Sequence, residues 1–348
     1  MIEKLIRPHL KSFQPYVSAR SEVQEAKLFL DANELSLGNL VSFDGVALNR
    51  YPDPLQIELR SKLAKRLGIT PEMVFTGVGS DEIIDLLIRL FCEPVKDSIC
   101  ILEPTYGVYR VSANMNNIQI LAVELDEYFH IDIKKTLSVV NTTTKIIFLC
   151  SPNNPTGNLL RRDDIVTLCR ESNAIVVLDQ AYIEFANPSG DLTSVVSQLE
   201  NLIILRTLSK AWGLAGIRLG FCIANPLIIS YLQRIKAPYN INVLTTKVAL
   251  GALANSKFLS DSVQCIQSER ERLTNELGKL TGVVRVFQSN ANFLLVEFKD
   301  AKTTYDALYR KGIIIRRRSE ERMKNCLRIT IGTQNENNLL LSMLKECE

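Results

Sequence analysis

Four short stretches of this 348-residue chain carry residue types that could do chemistry. Gly77-Val78-Gly79-Ser80-Asp81 precedes an apolar helical period, and free backbone N–H groups at a helix start can hold a phosphate. Ser151-Pro152-Asn153-Asn154-Pro155-Thr156-Gly157 directly follows an apolar run ending at Cys150. Asp179 closes the run Ile175-Val176-Val177-Leu178, with Tyr182 three residues on. Thr207-Leu208-Ser209-Lys210-Ala211-Trp212-Gly213-Leu214-Ala215-Gly216-Ile217-Arg218 sets a lysine in a glycine-rich loop that ends on an arginine. Taken singly, these are a helix cap, a turn made of turn residues, an acid at a strand end and a solvated lysine. Their joint order says more. The glycine-serine helix start, Tyr106, Asn154, Asp179, Tyr182, Ser209-Lys210 and Arg218 fall where strand-like runs end. In an open α/β sheet that edge is where ligands bind.

For such an edge to exist, the intervening sequence must build a parallel sheet. From about Tyr51 to Asn242 helical periods alternate with short β-rich runs, the pattern of a parallel sheet covered by helices. Strands are predicted at 98–102, 118–123, 145–150, 174–178, 202–206 and 219–224. Most are near-continuous apolar runs, as strands covered on both faces should be. The stretch 81–91 carries apolar residues at 83, 84, 87, 88, 90 and 91 and acids in its first turn, which predicts a buried helix. After Asn242 the pattern changes to a helical stretch over 244–280, strands at 283–288 and 293–298, a helix near 303–311, and strands at 313–317 and 326–331. The fold class expected is α/β with a smaller α+β domain. Residues 1–40 would form an arm packing with the small domain, 41–245 the large domain, and 246–348 the small one.

The length is that of about two domains at roughly 150 residues each. Apolar residues make up 46%, but their longest runs, such as Ile146-Ile147-Phe148-Leu149-Cys150, are far short of the roughly 20 needed to span a bilayer. No membrane role is expected. Forty-one basic and 38 acidic residues give a net charge of +3, without the basic stripe of a nucleic-acid groove. Two histidines, His9 and His130, leave little material for a metal cage or a Ser-His-Asp triad, so no metal is expected. Eight cysteines without a Cys-x-x-Cys pair read as reduced, buried packing residues. The N-terminus has charges and Pro8 where a signal peptide needs an apolar core, so the cytoplasm is the expected location.

With these stretches in place, the chain resembles the fold-type I pyridoxal-phosphate aminotransferases over essentially its whole length. The resemblance is carried by Pro15-Tyr16-Val17-Ser18-Ala19-Arg20, Leu30-Asp31-Ala32-Asn33-Glu34, Tyr51-Pro52-Asp53-Pro54, Pro104-Thr105-Tyr106-Gly107, the stretch from Ser209 to Gly220, and Leu327-Arg328-Ile329-Thr330-Ile331-Gly332-Thr333. Within the family it is similar to the branch acting on L-histidinol phosphate. The resemblance implies a mostly parallel mixed sheet and pyridoxal 5'-phosphate as cofactor. Lys210 would hold the cofactor aldehyde and later move protons, and Asp179 would keep the ring nitrogen protonated. Asn154 and Tyr182 would hydrogen-bond the cofactor's phenolic oxygen, and Tyr106 would stack on the ring. Gly79, Ser80, Thr207, Ser209 and Arg218 would hold the phosphate. Tyr51 would reach the same phosphate from the partner subunit, which implies a homodimer with shared active sites.

Substrate recognition would come from anion contacts. Arg328 resembles the family's anchoring arginine, Arg316 would be a second anion contact, and Tyr16 and Asn33 would line the substrate side. One departure concerns the loop after Asn33-Glu34, which reads Leu35-Ser36-Leu37-Gly38 and lacks the proline usual there. The expected reaction exchanges the amine of L-histidinol phosphate and the oxo group of 2-oxoglutarate, yielding glutamate, in histidine biosynthesis. Decarboxylation of threonine phosphate and transamination of aromatic amino acids are the alternatives on the same fold. A non-catalytic regulator would need a DNA-binding module, whereas the enzyme-like domains account for the 348 residues.

Overall fold

The computed structural model describes residues 1–13, 45–318 and 320–346. Seven strands, β1 (Val74–Val78), β2 (Ser98–Glu103), β3 (Gln119–Glu124), β4 (Thr144–Cys150), β5 (Ile175–Asp179), β6 (Leu202–Thr207) and β7 (Leu219–Ile223), form one sheet in the order β1-β7-β6-β5-β4-β2-β3. Strands β2 to β6 pair in parallel, while β7 runs antiparallel to both β6 and β1. The two reversals cancel. The C-terminal ends of β1, β2, β4, β5 and β6 and the N-terminal end of β7 therefore share one edge. Strands β8 (Val283–Val286), β9 (Phe293–Phe298), β10 (Arg316–Arg317) and β11 (Cys326–Thr330) form a second, antiparallel sheet in the order β10-β11-β9-β8.

Strand alternation explains the apolar runs. Ile146, Phe148, Ile175, Val177, Ile203 and Leu205 feed the core on one face of the large sheet. Ile147, Leu149, Val176, Leu178, Leu202 and Ile204 feed the core on the other. Edge strand β3 departs from the pattern, with Gln119 and Glu124 exposed.

Short helices α1 (Ile2–Leu5) and α2 (Pro8–Lys11) open the chain, and α3 (Ile57–Leu67), α4 (Gly79–Phe91), α5 (Val108–Met115), α6 (Ile133–Val139), α7 (Arg162–Glu171) and α8 (Pro226–Ile235) follow within the large-sheet region. Ile2, Ile6 and Leu10 join the same core as Leu90, Phe91 and Leu232, and the Arg7 N–H donates to the Leu90 carbonyl. This corrects the expected arm: its described part packs on the large sheet's helices, because Ile2, Ile6 and Leu10, on two short helices joined by an extended step at Ile6-Arg7, bury their apolar side chains in that core. The rest of the arm, with Tyr16, Asn33 and the Leu35–Gly38 loop, lies outside the described residues.

Helices α9 (Val243–Leu253) and α10 (Ser256–Leu277) replace the single helix predicted over 244–280. Asn255 interrupts it, its side chain accepting from the Phe258 N–H to cap α10. The predicted boundary at 245/246 falls inside α9, whose Ala249 is part of the large sheet's core. Helix α10 bridges the two sheets, with Leu259 in that core and Leu273 and Leu277 in the core of the small sheet. Helices α11 (Ala301–Arg310) and α12 (Gln334–Lys345) complete the small-sheet layer; a Thr333–Glu336 capping box starts α12. Of the predicted 313–317 strand only Arg316 and Arg317 pair. Strand β1 went unpredicted because Thr76 and Gly77 interrupt its apolar run. Arg322 ties the two layers together, donating to the carbonyls of Leu125 and Asp126, each at 2.7 Å, while its guanidinium lies over the Phe129 ring. Among the described residues no helix is long and apolar enough to cross a membrane. Six of the seven described cysteines are buried, and Cys265 is exposed, contrary to expectation.

Candidate active site

The shared strand edge encloses a cavity of about 130 Å3 that brings together Ser80, Tyr106, Asn154, Asp179, Tyr182, Thr207, Ser209, Lys210 and Arg218. Register accounts for much of this. Asp179 ends β5 opposite Leu205, and Cys150, the last residue of β4, lies opposite Asp179. Gly220 pairs with Gly77 on one side and Thr207 on the other. A Cβ at Gly220 would stand 2.3 Å from Ser80 N and 2.4 Å from Gly79 C, so glycine there lets the first turn of α4 lie directly on β7.

That turn is fixed from two sides. Glu82 reaches back to accept from the Val78 N–H at 2.5 Å. The Gly79 N–H, in a backbone at φ 72°, donates to the Arg218 carbonyl at 2.8 Å. The expectation for Gly79 is thereby corrected: its N–H is committed within the chain, and a side chain there would meet the Arg218 guanidinium at 2.6 Å. The donor offered to the cavity at this turn is Ser80, whose N–H at the second helical position has no partner inside the helix.

Arg218 adopts a left-handed backbone (φ 54°, ψ 51°), a conformation that costs a non-glycine residue energy and is sustained here by the bond to Gly79. Its guanidinium donates to Ser209 Oγ and faces Asp81, both at 3.4 Å. Thr207 Oγ1 donates to the Leu219 carbonyl at 3.2 Å, accepts from the Ser209 N–H at 3.1 Å and lies 3.0 Å from Ser209 Oγ, so it braces the loop as much as it lines the cavity.

Asp179 is buried. Its Oδ2 accepts from the Tyr109 hydroxyl at 2.8 Å and its Oδ1 from the Ala181 N–H at 3.0 Å. Burial pushes its carboxyl up to about 6, against the pull of those two hydrogen bonds. Desolvation, then the Arg328 charge, hold the Lys210 amine below the ordinary lysine range. The Lys210 Nζ lies 5.4 Å from the centre of the Tyr182 ring. Burial raises the Tyr182 hydroxyl, and its ring packs edge-on against Phe293. The Tyr106 hydroxyl donates to Asp81 at 3.2 Å.

A larger groove of about 740 Å3 adjoins the cavity, sharing Tyr106 and Asn154 with it and adding Arg316 and Arg328. Those two arginines are direct cross-strand partners on β10 and β11. Arg328 Nη1 donates to Asn154 Oδ1 at 2.5 Å, and burial lowers its guanidinium. Arg317 and Arg318 line the same groove, and Arg318 pairs with Glu320. The Asn154 loop is seated on the small-sheet layer at Gly157 (φ 82°), where a Cβ would fall 2.5 Å from Ser289 Oγ. Tyr51 is not among the cavity-lining residues; half exposed, it stacks on Tyr239 at 4.4 Å. Asp53 fixes its turn by accepting from the N–H groups of Leu55 and Ile57. Tyr109 is the residue that sequence reasoning missed; its place three residues after Tyr106 at the start of α5 was the available signal.

The family model for aminotransferase class I and II matches residues 26–344. A histidinol-phosphate aminotransferase of Parabacteroides distasonis is 46% identical over 99% of this chain and 98% of its own. That of Cytophaga hutchinsonii is 44% identical over the same shares. Among solved structures, a histidinol-phosphate aminotransferase from Sinorhizobium meliloti in complex with pyridoxal-5'-phosphate superposes with a TM-score of 0.80 at 25% identity, covering 86% of this chain and 83% of that one.

Proposed function

The chain belongs to the class I and II aminotransferases, and from that premise we propose that it exchanges the amine of L-histidinol phosphate and the oxo group of 2-oxoglutarate. The products are 3-(imidazol-4-yl)-2-oxopropyl phosphate and L-glutamate, a step of L-histidine biosynthesis. The observation that carries this reading is the meeting of the Lys210 amine and the buried Asp179 carboxylate in one cavity, beside a groove holding Arg316 and Arg328. Seven described cysteines are free and six of them buried, which supports a reducing compartment such as the cytoplasm.

The donor set fits pyridoxal phosphate. Lys210 would hold the aldehyde and Asp179 the ring nitrogen, with Asn154 and Tyr182 at the phenolic oxygen and Tyr106 at the ring face. Ser80, Ser209, Thr207 and Arg218 would hold the phosphate, with Tyr51 of a second copy completing it in a homodimer. When bound, pyridoxal phosphate supplies an electron sink for the carbon that loses its proton. The lowered affinity of the Lys210 Nζ for protons suits it to take that proton and return it. Arg328 and Arg316 would grip the substrate's anion, phosphate in one half-reaction and carboxylate in the other, each as a planar fork.

The test is to mix reconstituted protein separately with histidinol phosphate, threonine phosphate and phenylalanine. Histidinol phosphate should bleach the cofactor's visible absorbance in a single turnover, and Lys210→Ala should lack both that absorbance and turnover. Release of CO2 from threonine phosphate, or bleaching by phenylalanine alone, would replace this reading with one of its rivals.

A further inference from the structure

Tyr109 is not among the residues lining the cavity or the groove, yet its hydroxyl, from another element, lies 2.8 Å from the Asp179 carboxylate. We propose that Tyr109 is the positioning residue that keeps Asp179 ionised and aimed at the cofactor ring. This rests on the reading of Asp179 as the partner of the ring nitrogen.

Three observations support the role. The hydrogen bond is short, at 2.8 Å, and both partners are buried, so water cannot substitute for the hydroxyl. The Tyr109 ring is clamped, stacked on Phe148 at 4.7 Å and 10° and meeting Tyr106 edge-on at 5.6 Å. Finally, the two carboxylate oxygens have separate donors, Tyr109 for Oδ2 and the Ala181 N–H for Oδ1, which fixes the plane of the group.

The electrostatics point the same way. Burial favours the neutral acid, and the Tyr109 hydroxyl is the largest influence opposing it. Burial and the neighbouring Asp179 hold that hydroxyl far above its ordinary range, so it remains a donor at any working pH. The other ionisable groups facing Asp179 are Asp81 at the start of α4, Lys210 after β6, Cys150 at the end of β4, Tyr106 before α5 and Tyr182 after β5. Asp81 and the three neutral donors that burial holds protonated cannot stabilise the anion as a directed hydrogen bond does, and Lys210 is to be engaged by the cofactor.

Tyr109→Phe removes one oxygen and keeps the ring on Phe148. The acid limb of the kcat/KM profile should move up by about one pH unit, the worth of a single hydrogen bond to a charged group. The apoprotein should bind pyridoxal phosphate several-fold more weakly, while its melting temperature stays close to that of the parent. In an Asp179→Asn background the same change should have no further effect on cofactor affinity. An unshifted acid limb, or losses that simply multiply in the double variant, would overturn the role of Tyr109. If Asp179→Asn itself binds and turns over as the parent does, the reading of Asp179 fails instead, so the two outcomes are separable.

Discussion

A buried carboxylate is a liability until something uses it, and Asp179 illustrates this at the scale of one residue. An aspartate in an unfolded chain titrates near 4, whereas burial brings Asp179 to about 6 in the fold. The fold therefore favours the protonated form. Its contribution to stability is fullest below pH 4 and is lost as the pH rises through about 6, by about 3 kcal/mol in all. The Asp179→Asn apoprotein should accordingly be more stable than its parent at pH 8, by about 1–3 kcal/mol, with the gain vanishing near pH 4. Denaturant midpoints of the two apoproteins at both pH values check this, and added pyridoxal phosphate should narrow the gap by stabilising the parent more than the variant. Asp179 and Lys210 were legible from their joint order at the ends of apolar runs, whereas Arg328, inside the β11 run, was legible only through the family resemblance. Tyr109 was not, since an aromatic in the first turn of a helix is ordinary core and only the tertiary packing brings Asp179 to it.

At the scale of elements, the donor corner depends on how closely α4 approaches β7. Gly220→Ala places a methyl against the backbone of Gly79 and Ser80, where no side-chain rotation relieves it. The first turn of α4 must move, at a cost of about 1–3 kcal/mol, the usual range for overpacking. Titrating the apoprotein with pyridoxal phosphate should show at least a tenfold loss of affinity. Gly216→Ala, with nothing within 4 Å of the added carbon, serves as the control and should be silent within about 0.5 kcal/mol in denaturation. Element types were well signalled where apolar runs are long, as in β4 and β5. The ends were less so: Asn255 splits a continuous helical period because a side-chain cap satisfies N–H groups locally, which hydrophobic periodicity does not register.

For the whole molecule, the decisive residue is Tyr51, half exposed and stacked on Tyr239 rather than lining the cavity of its own chain. If two copies share their sites, mixing inactive Lys210→Ala with impaired Tyr51→Ala should create hybrids with one site complete in both residues. Dissociating and reassociating an equal mixture should then restore about a quarter of native turnover, as statistical pairing in a two-fold dimer gives. Turnover equal to the average of the two parents would show that Tyr51 does not act across an interface. By itself the sequence determined the α/β class, the strand edge as the place of chemistry and the residue types gathered there, because these follow from periodicity and from local order along the chain. Only the tertiary structure decided that Gly79 spends its N–H on Arg218, that Arg328 meets Asn154, that Ile2, Ile6 and Leu10 pack with the helices on the large sheet and that the Tyr109 hydroxyl meets Asp179. Each of these joins residues distant in the chain, and such pairings are set by register and packing, which no local pattern encodes.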